Sequence, residues 1–287
     1  MGVILDVVLP IALILIMLGL GMSLELRHFR EILEQKRAAL VGLGSMLVTG
    51  PTVAFVVLSF FSLDPYLAVG ILLVATCPSG LTSNLLTHLG GGNVALSVSL
   101  TAALSALYVA TAPVLIVLVF ATQGLEISRV GAPVELAIRV LSLTLGPVII
   151  GMIIRAKAPR FAERIDAWIR ALGTLLIIIL FAALLASDWP RLSDAASRVV
   201  LPLTLTGVFT LLLAYVIARV AGLSRADVIA ICVEHVVRQE GTAIYVTLGV
   251  AGSALIALPL LLNSVVGALL AAGFITIMGS WRLSRAS

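Results

Sequence analysis

Apolar residues recur along the chain in runs of about 20, set apart by short polar stretches and without the strict alternation of a half-buried strand. Runs of that length fit helices that cross a bilayer. The pattern predicts nine, at about 3–24, 38–61, 66–88, 93–121, 134–154, 171–187, 199–218, 226–250 and 255–279. The fourth is long enough to need tilt or a bend, with Pro113 as the place for it. Segments 25–37 and 155–170 alternate charge with Phe29, Ile32 and Leu33 in one and Phe161, Ile165 and Trp168 in the other. They read as short amphipathic helices lying at the membrane surface.

Two of the nine spans are interrupted. The third carries Cys77-Pro-Ser-Gly80 followed by Thr82-Ser83-Asn84, and the eighth carries Glu234-His-Val-Val-Arg-Gln-Glu-Gly241. Pro78 removes a backbone donor and clashes with the preceding turn, and Gly80 loosens the chain; Gly241 with Gln239 and Glu240 does the same in the eighth span. A helix broken at membrane depth frees carbonyls on one side and amides on the other, which is tolerated only where they face a cavity or find a partner. Broken spans at matching positions of two halves place a binding site near the midplane. The fold expected is therefore an all-α integral membrane protein. Its nine transmembrane helices form an inverted repeat with two broken, crossing helices, as one transporter domain over 1–287. The first repeat covers about 1–122, lacking one helix, and the second covers about 134–279.

Composition agrees with this. Of 287 residues 61% are hydrophobic and only 11% charged, with a mean hydropathy of +1.21, more apolar surface than a soluble domain can hide. The net charge of +4 does not point to nucleic acid, because the basic residues sit in short loops as orientation signals do. Thirteen (Arg27, Arg30, Lys36, Arg37, Arg155, Lys157, Arg160, Arg164, Arg170, Arg219, Arg225, Arg282 and Arg285) fall on one side. Arg129, Arg191 and Arg198 fall on the other, with Arg139 just inside a span. The bias puts the C-terminus in the cytoplasm and the N-terminus outside, and the first span, with no basic lead or cleavage site, reads as retained. Arginine outnumbers lysine 16 to 2, as in a high-GC bacterium, so a bacterial inner membrane is expected. Cys77 and Cys232 lie inside spans near the breaks. They read as two small buried thiols, or as a redox or metalloid-binding pair should they meet in space.

Ionisable residues inside a bilayer are expensive and mark function. Glu234 supplies a full negative charge, and Ser83, Asn84, Ser97 and Thr101 supply hydroxyl and amide oxygens; Ser97 and Thr101 share one helical face at i and i+4. Together these oxygens describe a Na+ site. The plainer alternatives are small-residue packing for Ser97 and Thr101, and an internal ion pair with Arg238 for Glu234. His235, beside Glu234, either titrates near neutral pH and lets protons stand in for sodium, or is a neutral imidazole bonded to a freed carbonyl. Glu240 is expected to pair with Arg238 or to face water.

At these residues the chain resembles the bile acid:sodium symporter family over nearly its whole length. Gly19-Leu-Gly-Met-Ser-Leu24 followed by Phe29 is similar to that family's first shared helix, and Cys77-Pro-Ser-Gly-Leu-Thr-Ser-Asn84 to its first crossing motif. Gly92-Asn-Val-Ala-Leu-Ser97 resembles the segment that follows, Glu234 opens the second crossing motif, and Asn263 lies in a similar last-helix pattern. The resemblance implies a core domain holding both crossing helices that moves against a panel domain. It implies a sodium site at Ser83, Asn84, Ser97, Thr101 and Glu234. It implies a second sodium site as well, but Met46 and Arg238 stand where that site has glutamines. Neither ligates sodium through its side chain, and a guanidinium does not lose its proton. Arg238 is therefore expected to replace the second ion with a tethered positive charge, or to bind a substrate carboxylate in bidentate fashion.

The function expected is sodium-coupled uptake of a small organic anion by alternating access, with Na+ as coupling ion. The anion would be a monocarboxylate, keto acid, pantothenate-like acid or bile acid, and Ser79, Thr82, Gln239 and Asn263 its contacts. An arsenite-permease-like efflux carrier using Cys77 and a membrane ligand sensor that does not transport are the rivals. An enzyme is not expected, since no HExxH, GxSxG or paired-aspartate motif is present.

Overall fold

A computed structural model describes residues 2–24, 31–80, 82–125, 133–187, 189–245, 247–248 and 253–283. Part of the surface helix expected at 25–37, together with the basic residues Arg27, Arg30, Arg129 and Arg285, lies outside these residues. The described chain is helical: α1 (Gly2–Ser23), α2 (Lys36–Leu58), α3 (Pro65–Thr76), α4 (Thr82–Leu89), α5 (Val94–Thr122), α6 (Pro133–Lys157), α7 (Pro159–Ser187), α8 (Trp189–Val220), α9 (Arg225–Val236), α10 (Gly241–Tyr245) and α11 (Ala254–Leu283). Among the described residues α2, α8 and α11 are long and apolar enough to cross a membrane, and shorter apolar helices run over Val7–Ser23, Pro65–Thr76 and Val94–Tyr108. Leu40, Val48, Phe55, Leu118, Ile150, Ile178, Leu201 and Leu269 are exposed on their outer faces. Contiguous apolar surface of that kind belongs against lipid. The chain is a multi-pass membrane protein.

Starts and stops follow local chemistry. Asp64 caps α3 by accepting from the Tyr66 amide at 2.8 Å, with Pro65 at the first helical position. Asn93 caps α5 by accepting from the Leu96 amide at 3.1 Å, and Ser224 caps α9 by accepting from the Asp227 amide at 3.2 Å. The Asn93 amide group then donates to Gln35 and to Asp227, both at 2.7 Å, tying the first turns of α2, α5 and α9 together at one end of the molecule. One expectation needs correction. Residues 155–170 do not form a separate surface helix: after a short break at Ala158 the chain enters α7, which runs unbroken to Ser187. Ala171-Leu-Gly-Thr174 contains no proline to stop it, and Gly173 is where α7 presses on the Ala12 carbonyl of α1.

The helices fall into two groups. α1 packs along both α6 and α7, closely enough at Gly21 and Gly151 that a Cβ on either would strike backbone of the other helix. The remaining helices pack around α3, α8, α9 and α11, and α5 joins the two groups by packing against α6. Within the second group, element starts recur at a nearly constant interval. α9 begins 160 residues after α3, α10 159 after α4 and α11 160 after α5. α3 and α9 each have 12 residues, and α5 and α11 have 29 and 30.

Candidate functional site

Both expected interruptions are present, and they meet. α3 gives way at Cys77 (φ −61°, ψ 147°) and α9 at Val237 (φ −93°, ψ 103°), both extended. The two extended segments pair antiparallel at Ser79 and Arg238: the Gly80 amide donates to the Val237 carbonyl at 3.0 Å, and the Gln239 amide to the Pro78 carbonyl at 2.9 Å. Backbone groups freed by one break are thus satisfied by the other. Gly80 has ordinary φ; what it supplies is room, since a Cβ there would lie 2.9 Å from the Arg238 carbonyl oxygen. The second break occupies Val237–Glu240, and Gly241 opens the helix after it.

Glu234, in the last turn of α9, is fully buried and ringed by hydroxyls. Ser83 donates to its Oε1 in a short hydrogen bond, Ser97 donates to the same oxygen at 2.5 Å, and Thr101 donates to Oε2 at 2.9 Å. Asn84 Oδ1 lies 2.8 Å from the Ser97 hydroxyl and 3.5 Å from that of Thr101. Each hydroxyl has one proton. Yet Ser83 lies within reach of both Glu234 and the Gly80 carbonyl, and Ser97 of both Glu234 and Asn84. The cluster therefore holds more oxygen lone pairs than protons to share among them. Such an all-oxygen, acceptor-rich cage suits a hard cation, and no group of three or more His, Cys, Asp or Glu residues that would favour a transition metal occurs among the described residues. α4, α5 and α9 supply these side chains.

Ser79 and Thr87 join this cluster. Ser79, expected among the substrate contacts, is wholly buried and donates to Thr101 Oγ1 at 3.3 Å; Thr87 Oγ1 lies 3.3 Å from Ser97 Oγ. Arg238 does not pair with Glu234. Its Nη1 donates at 2.9 Å to the carbonyl of Cys77, where the C-terminal end of α3 presents partial negative charge. α2 makes room for it at Gly50, where a Cβ would lie 3.2 Å from Nη2. Glu240 pairs with Asn263 rather than with Arg238: the amide donates to Oε1 at 2.8 Å, and Ser264 approaches Oε2 at 3.5 Å. His235 is buried, and its Nδ1 bonds the Ile231 carbonyl at 2.7 Å. The thiols do not meet: Cys77 lies 3.9 Å from the Tyr108 hydroxyl in one core cluster, and Cys232 is buried in another.

Between the two helix groups lies a cavity of about 710 Å3. Of the residues expected to contact a substrate, Thr82, Gln239 and Asn263 line it and Ser79 does not; Glu240, Ser264 and Arg170 line it as well. Arg170 is held there by Asp166 at 2.8 Å, with its stem against Gly19. Treating 155–170 as a surface segment hid it, although its i−4 acid is visible in the sequence.

The profile of the Sodium Bile acid symporter family matches residues 10–189, well over half of the chain. The chain belongs to this family. Among its relatives, the chloroplastic probable sodium/metabolite cotransporter 1 of Arabidopsis thaliana is 27% identical over 274 residues, covering 96% of this chain and 66% of that protein. An uncharacterized sodium-dependent transporter of Bacillus subtilis is 33% identical over 164 residues (57% of this chain, 49% of that one). The ileal sodium/bile acid cotransporter of Homo sapiens is 28% identical over 227 residues (78% and 64%). The chain thus spans about half to two thirds of the length of these sodium bile acid symporter relatives. The family match includes the first break and α5 but stops short of Glu234, so the oxygen cage joins matched residues to a carboxylate beyond the matched stretch.

Proposed function

We propose that the chain is a secondary-active symporter in which a sodium ion bound at Glu234 drives uptake of a small organic anion. The excess of oxygen acceptors over protons around Glu234 carries this reading. A Na+ ion beside the carboxylate would take lone pairs from Ser83, Asn84, Ser97 and Thr101, and so lock α4, α5 and α9 in one arrangement. Ser79 belongs with this cation cluster. Arg238 takes the part of a second cation: its fixed charge sits on the Cys77 carbonyl, at the end of a half-helix that would otherwise attract an ion. One coupling sodium follows.

The anion is assigned to the 710 Å3 cavity, against Thr82, Gln239 and Asn263. Because the cavity lies between the two helix groups, rocking of α1, α6 and α7 against the rest would open it to either side of the membrane in turn. The repeat interval supports an inverted-repeat fold of nine spans. Ser79 and Arg238 stand 159 residues apart and pair with each other running in opposite directions, as equivalents beside an in-plane twofold must. The positive-inside bias supports a cytoplasmic C-terminus and an external N-terminus, and the excess of arginine over lysine a bacterial inner membrane. The test is uptake into proteoliposomes with an inward sodium gradient or potassium in its place. Glu234→Ala is expected to abolish sodium-dependent uptake, and sodium dependence that survives it refutes the assignment.

A further inference from the structure

The cavity contains an acid where a carrier of simple anions has no use for one. Glu240 is 6% exposed and lines the cavity wall, yet its two hydrogen-bond partners, Asn263 and Ser264, are both neutral. The guanidinium groups on the same wall are engaged elsewhere, Arg238 with the Cys77 carbonyl and Arg170 with Asp166. A carboxylate buried without an ion partner is unfavourable, and it repels a second carboxylate brought beside it. Next to it in sequence and on the same cavity, Gln239 has a buried side-chain oxygen with no hydrogen-bond partner. An acid without an ion partner and a neighbouring acceptor without a donor therefore stand on a wall that also carries the Thr82 hydroxyl. Ile16, Ile178 and Leu261 make other parts of the wall apolar.

We propose that the substrate is an amine-bearing carboxylic acid with an apolar body, whose protonated amine donates to Glu240 and Gln239 while its carboxylate faces Thr82. The proposal rests on the symport reading and narrows its substrate class from organic anions at large to zwitterions. An ammonium group completes the Glu240 ion pair that the protein leaves open, and a plain carboxylate leaves it open still. The charge match, not the cavity volume, is what separates the two classes.

Purified protein in detergent tests this by thermal shift, using acid pairs that differ only in the amine: leucine and 4-methylpentanoate, phenylalanine and 3-phenylpropionate, 6-aminohexanoate and hexanoate. In sodium, at least one amino acid is expected to raise Tm while its desamino partner does not. Glu240→Gln, which keeps the shape and removes the charge, is expected to weaken that response roughly tenfold or more in apparent Kd. A sodium-dependent shift of the variant alone reports that it is folded. Should it not fold, Glu240→Asp replaces it and is expected to keep the amine preference with reduced affinity. Desamino acids that stabilise as well as their partners, no response to any amine, or a preference unchanged by Glu240→Gln each overturn the proposal. An amine response that is the same in potassium as in sodium sinks the sodium reading and leaves the amine assignment standing.

Discussion

At the scale of single residues, the chemistry of the site turns on what each charge touches. Glu234 lies four residues from Arg238, a spacing that would allow an ion pair along a helix. The helix ends between them, however, so the carboxylate turns to hydroxyls and the guanidinium to the Cys77 carbonyl. If Arg238 stands in for a cation, a neutral oxygen-bearing side chain there reopens the position. Arg238→Gln is expected to steepen the sodium dependence of uptake, with a Hill coefficient rising from about one toward two, one per bound ion; an unchanged curve would count against the substitution of charge for ion. Ser83, Asn84, Ser97, Thr101 and Glu234 could be gathered from the sequence alone because polar oxygens in apolar spans have few reasons to be there. Ser79 could not be placed that way. It lies in an extended segment, where the register of the Ser79–Arg238 pairing decides which way a side chain points.

At the scale of elements, both breaks were legible because proline, glycine and charge leave few other conformations. Their crossing was expected too; what the sequence did not carry was the backbone pairing of Ser79 with Arg238, partners 159 residues apart. That contact sets the role of Gly80. Adding a methyl group there forces it to within 2.9 Å of the Arg238 carbonyl, and neither backbone segment can yield without losing its hydrogen bonds to the other. Gly80→Ala is expected to destabilise the protein by about 1–3 kcal/mol and to lower its midpoint of thermal unfolding with and without sodium. The extent of α7 was misread for a different reason. A change from amphipathic to fully apolar pattern reads as a boundary, but the backbone continues whenever nothing in it forbids the next turn, and so Arg170 reaches the cavity.

For the whole molecule, the proposed symport requires the two helix groups to move relative to each other across the cavity between them. Leu85 on α4 and Ile178 on α7 line that cavity. With both changed to cysteine, a bifunctional thiol reagent is expected to join the groups and arrest uptake, while either single variant treated alike keeps transporting. Continued transport after complete joining would exclude rocking of one group against the other.

The mutual pairing of the two breaks also bears on how the protein is made. Residues 77–80 leave the ribosome long before Val237 and Gln239 exist, and at ~5–20 residues per second the wait is roughly 8 to 32 s. Throughout that interval the first half has membrane-embedded amides and carbonyls with no permanent partner. Until the second half arrives to close the crossing, those groups need other partners, such as water, lipid headgroups or the translocation machinery.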